Sequence, residues 1–137
     1  MNLISQLGMT PYKQNENEEY MNENQLSHFR NLLNAWKTHL LNTSEITEDQ
    51  IQDDAAKIPD SNDRASYESN LGFLLKKSGR ERKLVVRIEK SIAGIEKKTY
   101  GYCRSCSSVI GLKRLEARPV ANECIDCKSL AEEAEGV

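Results

Sequence analysis

The sequence is short of the residues that catalytic and base-stacking proteins use most. Aromatic residues make up 6% of its 137 positions and hydrophobic residues 38%, below the usual share of a globular chain. So little apolar material does not build a deep core, which points away from a compact enzyme and toward an elongated molecule with much solvated helix. No apolar run approaches the roughly 20 residues that a membrane span needs. The opening MNLISQLGMT lacks a basic stretch followed by an apolar core, so no secretory signal is expected and the chain is read as soluble and cytoplasmic. Few aromatics near the basic residues also weaken the case for a surface that stacks nucleobases. Histidine is scarce too. His28 and His39 both fall in one helical stretch and are expected on its surface rather than as metal ligands.

Charge, by contrast, is plentiful and unevenly placed. Charged residues are 29% of the chain and the net charge is only −2. Residues 1–70 hold 5 Lys/Arg against 12 Asp/Glu, and residues 71–137 hold 14 against 9, so a −7 half is followed by a +5 half. A basic half fits an anionic partner, whether nucleic acid, nucleotide or acidic protein surface. It fits equally a solvated helix laced with pairs four residues apart.

The apolar residues fall in two seams. Residues 1–21, with the acidic patch QNENEEY, read as an N-terminal arm. Asn22 with Gln25 three residues later reads as a capping box. Leu26, Phe29, Leu33, Trp36 and Leu40 then step by three and four, and the seam fades through Thr43, Thr47 and Ile51 toward Ala55 before Pro59. A second seam runs Tyr67, Leu71, Leu74, Ser78, Glu81, Val85, Ile88, Ile92, Ile95, interrupted by KKSGRERK. Two long helices joined by so short a connection run antiparallel. The pattern predicts a mainly α chain: a coiled-coil hairpin over 22–98 with its tip near 58–65, each arm roughly 50 Å long. At the tip, IPDSNDRAS sets Asp60 and Asp63 three residues apart. Read alone, Asp60 is a helix N-cap and Asp63 a partner of the first-turn dipole.

Residues 99–137 read as a zinc-finger head with a C-terminal helix. Cys103 and Cys106 form one C-x2-C, Cys124 and Cys127 another, with seventeen residues between them. Reduced thiols at that spacing predict one structural Zn2+, because two such knuckles complete a tetrahedron and leave no position open for catalytic water. Gly101 and Gly111 sit where tight turns need a permissive backbone. Ile110, Leu112, Leu115, Val120 and Leu130 are the expected apolar filler.

The strings YMNENQLSHFRNLLNAW, PDSNDRA, RERKL and GYCRSC…RLEARP…CIDCKSLAE together resemble the DksA/TraR zinc-finger family of bacterial transcription factors, from about Pro11 to Glu132. The resemblance implies a non-catalytic regulator that binds RNA polymerase directly rather than reading DNA sequence. It implies a head that gathers the arm and the C-terminal helix around the zinc unit. The hairpin would enter the polymerase secondary channel, presenting Asp60, Asp63 and Ala65 as its functional tip. It further implies that the effector ppGpp binds with polymerase at Leu84, Arg87, Arg118 and Lys128, with Arg80 nearby. Arg87 stands where the family usually has lysine, and Ser78-Gly79 replaces a more polar, better helix-forming pair. A stringent-response regulator acting as a monomer is the reading that follows. A nucleic-acid-binding zinc ribbon and a transcript-cleavage factor, its two tip carboxylates holding a second Mg2+, are the alternatives.

Overall fold

The structure, a computed structural model, describes residues 3–14, 17–57 and 64–135. Within them the chain forms α1 (Leu3–Gln6), α2 (Glu23–Ala56), α3 (Arg64–Glu96), α4 (Leu112–Ala117) and α5 (Ile125–Glu135). An isolated antiparallel bridge pairs Tyr102 with Val109. The mainly α hairpin with a small cysteine-bearing unit is therefore the fold. Asp60 and Asp63 lie outside the described residues.

The start of α2 shows how its sequence sets the boundary. Asn22 Oδ1 accepts from the Gln25 N–H at 2.9 Å, while Gln25 Oε1 accepts from the Met21 N–H at 2.7 Å. This is the capping box displaced by one residue, since the side chain reaches past Asn22 to Met21. Met21 sits at φ 56, a left-handed conformation that turns its N–H toward the helix. Gln25 is fully buried and spends its remaining donor on Glu18 Oε2 at 3.1 Å. At the far end α3 finishes without glycine. Lys98 takes the left-handed position at φ 61, and the N–H groups of Thr99 and Tyr100 both donate to the Gly94 carbonyl.

The chain divides into two compact units. The first comprises Met1–Trp36 and Ile88–Val137. Its core contains Ile4, Leu26, Phe29, Leu32, Leu33, Ile88, Ile95, Tyr100, Ile110, Leu115 and Val120, all buried. Leu32 and Leu33 are both fully buried, so this end of α2 buries a wider stripe than a two-helix seam requires. The extra side faces the head. Tyr100 packs its ring 5.7 Å from Phe29 and donates its hydroxyl to the Pro119 carbonyl at 2.7 Å. Burial pushes the Tyr100 hydroxyl well above its ordinary range, so it stays a donor at any physiological pH. Arg30 and Glu96 pair at 3.0 Å across α2 and α3.

The second unit is Lys37–Arg87, the remaining parts of α2 and α3. Asn70 Nδ2 donates to Asp54 Oδ2 at 3.0 Å and ties the two antiparallel helices together. Both helices are unbroken through the polar stretches that interrupt the seam, and Gly79 lies within α3. Several seam positions here hold polar residues, yet they are buried: Thr47, Ser78 and Glu81 are 2%, 1% and 7% exposed.

Candidate metal centre and its supports

The four cysteines converge. The sulfur atoms of Cys103, Cys106, Cys124 and Cys127 all lie within 4.8 Å of one another. Cys106 and Cys124 are 3.7 Å apart. A tetrahedral Zn2+ with bonds of about 2.3 Å spaces its sulfurs about 3.8 Å apart, so the cluster has the dimensions of such a site. Its first knuckle is built by backbone. Ser107 at φ 64 turns the chain back, its N–H donating to the Cys103 carbonyl at 2.9 Å, and the Cys103 N–H donates to Ser108 O at 2.8 Å. The second knuckle opens α5, where Lys128 N–H donates to Cys124 O at 3.0 Å. The two are joined by Arg104 N–H to Asn122 O at 2.9 Å and by the Arg104 guanidinium on Glu123 at 2.6 Å.

The electrostatics favour thiolate in part of the cluster. Backbone donation from Cys124 holds the Cys103 thiol down at about 6, with the N–H groups of Cys106 and Ser105 adding to it against burial. Hydrogen bonds from Ser108 lower Cys106 as well. Cys127 is pushed the other way, chiefly because it shares hydrogen bonds with Cys124 and then with Cys106 and Cys103. Four sulfurs this close cannot all be anions without a compensating charge, and a divalent cation supplies it. These four residues can hold a metal ion.

Around the site, Gly101 and Gly111 have φ 92 and 103. At Gly101 space matters as well, since an added Cβ would lie 3.0 Å from Met21 and 3.1 Å from the Tyr20 hydroxyl. That hydroxyl donates to Gly101 O at 2.7 Å and accepts from Gly111 N–H at 3.0 Å. The N-terminal arm is fastened to the head by this tyrosine, and also by Tyr12, whose N–H donates to Glu116 at 2.8 Å. Ile110, Leu115 and Val120 are buried filler and Leu112 is half-buried, but Leu130 is 66% exposed. The expectation for Leu130 fails because α5 buries none of its residues. Short of an apolar anchor, α5 is held mainly at its cysteine end.

His28 also departs from expectation. His39 is exposed, but the His28 side chain is only 12% exposed, between the rings of Tyr12 and Phe29 at 5.3 and 5.0 Å. Its Nε2 is 3.5 Å from Glu116 Oε1 and has no hydrogen-bond partner. Burial lowers the His28 pKa, and the nearby Glu116 carboxylate opposes that only in part. The folded state therefore takes up this proton less readily than the unfolded chain, whose histidine titrates near 6.5. The stability that neutral His28 contributes is complete above that value and is lost as pH falls through the lower, folded one. Between pH 7.5 and 5 the parent should lose more thermal stability than His28→Gln, and parallel melting curves would remove His28 from this role. The sequence signal that could have found it is the second stripe Gln25, His28, Leu32, displaced by one residue from Leu26, Phe29, Leu33.

The other candidate residues lie on α3, at the end of α4 and on α5. Ala65 is exposed, the second residue of α3, whose first residue directly follows Asp63. Leu84 is half-buried and Arg80 and Arg87 are exposed, all in the Lys37–Arg87 unit. Arg118 is exposed at the C-terminal cap of α4, and Lys128 is exposed on α5. No helix among the described residues is long and apolar enough to cross a membrane.

With this geometry in view, comparison with known proteins assigns the family. Residues 25–95 match the family model described as DnaK suppressor protein DksA, N-terminal domain. The chain is 46% identical over 132 residues to the RNA polymerase-binding transcription factor DksA of Escherichia coli K12, covering 96% of this chain and 87% of that one. It is 42% identical to the Haemophilus influenzae protein of the same name, covering 96% of this chain and 91% of that one. Among solved structures it is similar to transcription factor DksA2 from Pseudomonas aeruginosa, with a TM-score of 0.80 and 32% identity over 86% of this chain and 91% of that chain. A family model that spans most of the hairpin and relatives that align from the arm through the cysteines leave one assignment: the chain belongs to the DksA family.

Proposed function

We propose that this protein is a transcription regulator that binds RNA polymerase directly and has no catalytic activity of its own. The observation that carries this reading is the 46% identity over 132 residues to factors named for binding RNA polymerase. That alignment takes in 96% of the chain, so it is not confined to a zinc unit that many unrelated proteins share. On this reading the metal is one structural Zn2+ on Cys103, Cys106, Cys124 and Cys127. The protein works in the cytoplasm as a monomer.

The hairpin is the working part. A helix of 34 residues is about 50 Å long, enough to carry a side chain deep into a large enzyme. Entry into the secondary channel would bring Asp60, Asp63 and Ala65 near the polymerase active site. There the two carboxylates would act on basic groups or mobile elements around the catalytic Mg2+.

Regulation together with ppGpp is the finer part of the proposal, and the resemblance groups its residues. Arg87, Arg118 and Lys128 supply the positive charge that a nucleotide with at least four negative charges needs, with Leu84 as an apolar wall for guanine. These cations are exposed, and screening leaves each weak in water. Closure against polymerase would desolvate them and add partner groups. Little ppGpp should bind the free protein, and clear binding should appear in the complex. Lys128→Ala should weaken nucleotide binding to the assembled complex about ten- to hundredfold. Polymerase binding without nucleotide should change far less. Equal nucleotide affinities of parent and variant would remove this site.

A mobility-shift assay without polymerase tests the broader reading. A polymerase-directed factor leaves bare DNA and RNA unshifted at physiological salt. A strong shift that falls steeply with salt would instead place the +5 half on phosphates.

A further inference from the structure

Several seam positions of the Lys37–Arg87 unit carry no apolar side chain, and they fall at two adjacent levels. Seven residues back from Asp54 along α2 is Thr47, and seven forward from Asn70 along α3 is Lys77, beside Ser78. Because Asn70 donates to Asp54 at 3.0 Å and the helices run antiparallel, Thr47 and Ser78 share a layer. Glu81 lies one turn further along α3, level with Thr43. Thr47, Ser78 and Glu81 are 2%, 1% and 7% exposed, so these polar side chains are buried, while the apolar seam residues Ile51, Leu71, Leu74 and Val85 on either side are only half-buried.

Their hydrogen bonds stay inside each helix. Thr47 Oγ1 donates to Thr43 O, and Thr43 Oγ1 donates to His39 O, both at 2.9 Å. Arg82 Nη2 donates to Ser78 Oγ at 3.2 Å, and Lys77 Nζ stands 3.9 Å from Glu81 Oε1. The second oxygen, Glu81 Oε2, is buried and has no partner. These polar residues thus contribute neither apolar burial nor, among the described residues, a hydrogen bond from one helix to the other. An incompletely satisfied buried carboxylate opposes closure.

Both helices are also weakened at these levels by their own backbone. Two successive threonines that bond back to the preceding turn favour bending of α2. Gly79, next to Ser78, lowers the helical preference of α3, and nothing lies within 4 Å of where its Cβ would be. No packing requirement therefore explains the missing side chain.

We propose that Thr47, Ser78, Gly79 and Glu81 form a built-in hinge in the hairpin, at which the outer part of the unit bends and the two helices part locally. Such a hinge lets the end of a long hairpin change direction without unfolding the whole coil. The proposal concerns the free chain and stands apart from the polymerase reading.

Hydrogen–deuterium exchange on the full-length protein tests it. Simple fraying makes exchange fall steadily from the end of the hairpin inward. A hinge instead makes amides around residues 44–49 and 78–83 exchange faster than those around 50–54 and 70–75, which lie nearer the end. A steady gradient in the parent overturns the proposal. Gly79→Ala adds a methyl group into open space and should slow exchange around 78–83 about fivefold. An unchanged rate there in a variant that folds normally would also overturn it.

Discussion

Replacing Cys124 with serine is expected to abolish metal binding and free α5, while α2 and α3 stay folded. Cys124 lies one residue before α5 and Cys127 within it, and α5 buries none of its residues against the rest of the chain. Coordination therefore supplies most of what holds it, as is usual where a small unit has little apolar filler. The parent should carry about one zinc per chain and the variant close to none. Far-UV circular dichroism should fall only modestly, because α2 and α3 hold 34 and 33 residues against 11 in α5. Full metal content in Cys124→Ser would refute the site. Collapse of the whole helical signal would mean that the hairpin depends on the metal.

The second large effect should come from Asp63. Asp63→Asn removes one charge while keeping the side chain's size. On the proposed reading, affinity for polymerase resides mostly elsewhere, and the carboxylate acts only after docking. Binding should stay near normal while the effect on transcription falls severely. A variant that regulates as well as the parent would reduce Asp63 to a helix cap. One that binds far more weakly would make Asp63 an affinity element.

The hairpin was legible because its evidence is local. A run of three- and four-residue steps identifies a helix wherever it occurs, and the seam positions Leu26, Phe29, Leu33, Leu40, Ile88 and Ile95 are all buried. Even Ser78 and Glu81, polar residues assigned to the seam by spacing alone, are buried. The cysteine cluster was legible for a related reason, since each C-x2-C knuckle is a local structure and reduced thiols in that pattern serve a metal.

The contacts of the head were not legible. His28 is enclosed by Tyr12, Phe29 and Glu116, which come from three segments, and no periodicity within α2 announces the other two. Tyr20 fastens Gly101 and Gly111 through a single hydroxyl in the same way. Leu130 failed in the opposite direction. An apolar residue in a short amphipathic helix reads as filler, but α5 does not turn that side toward a core.

The measurement closest to the central claim is binding of the purified, zinc-loaded protein to core RNA polymerase, followed by transcription from the same assembly with and without ppGpp. The account predicts a direct complex with the core enzyme in the absence of DNA. It also predicts altered initiation, with a larger change when ppGpp is present. No complex with core polymerase, under conditions where the protein is folded and carries its metal, would contradict it.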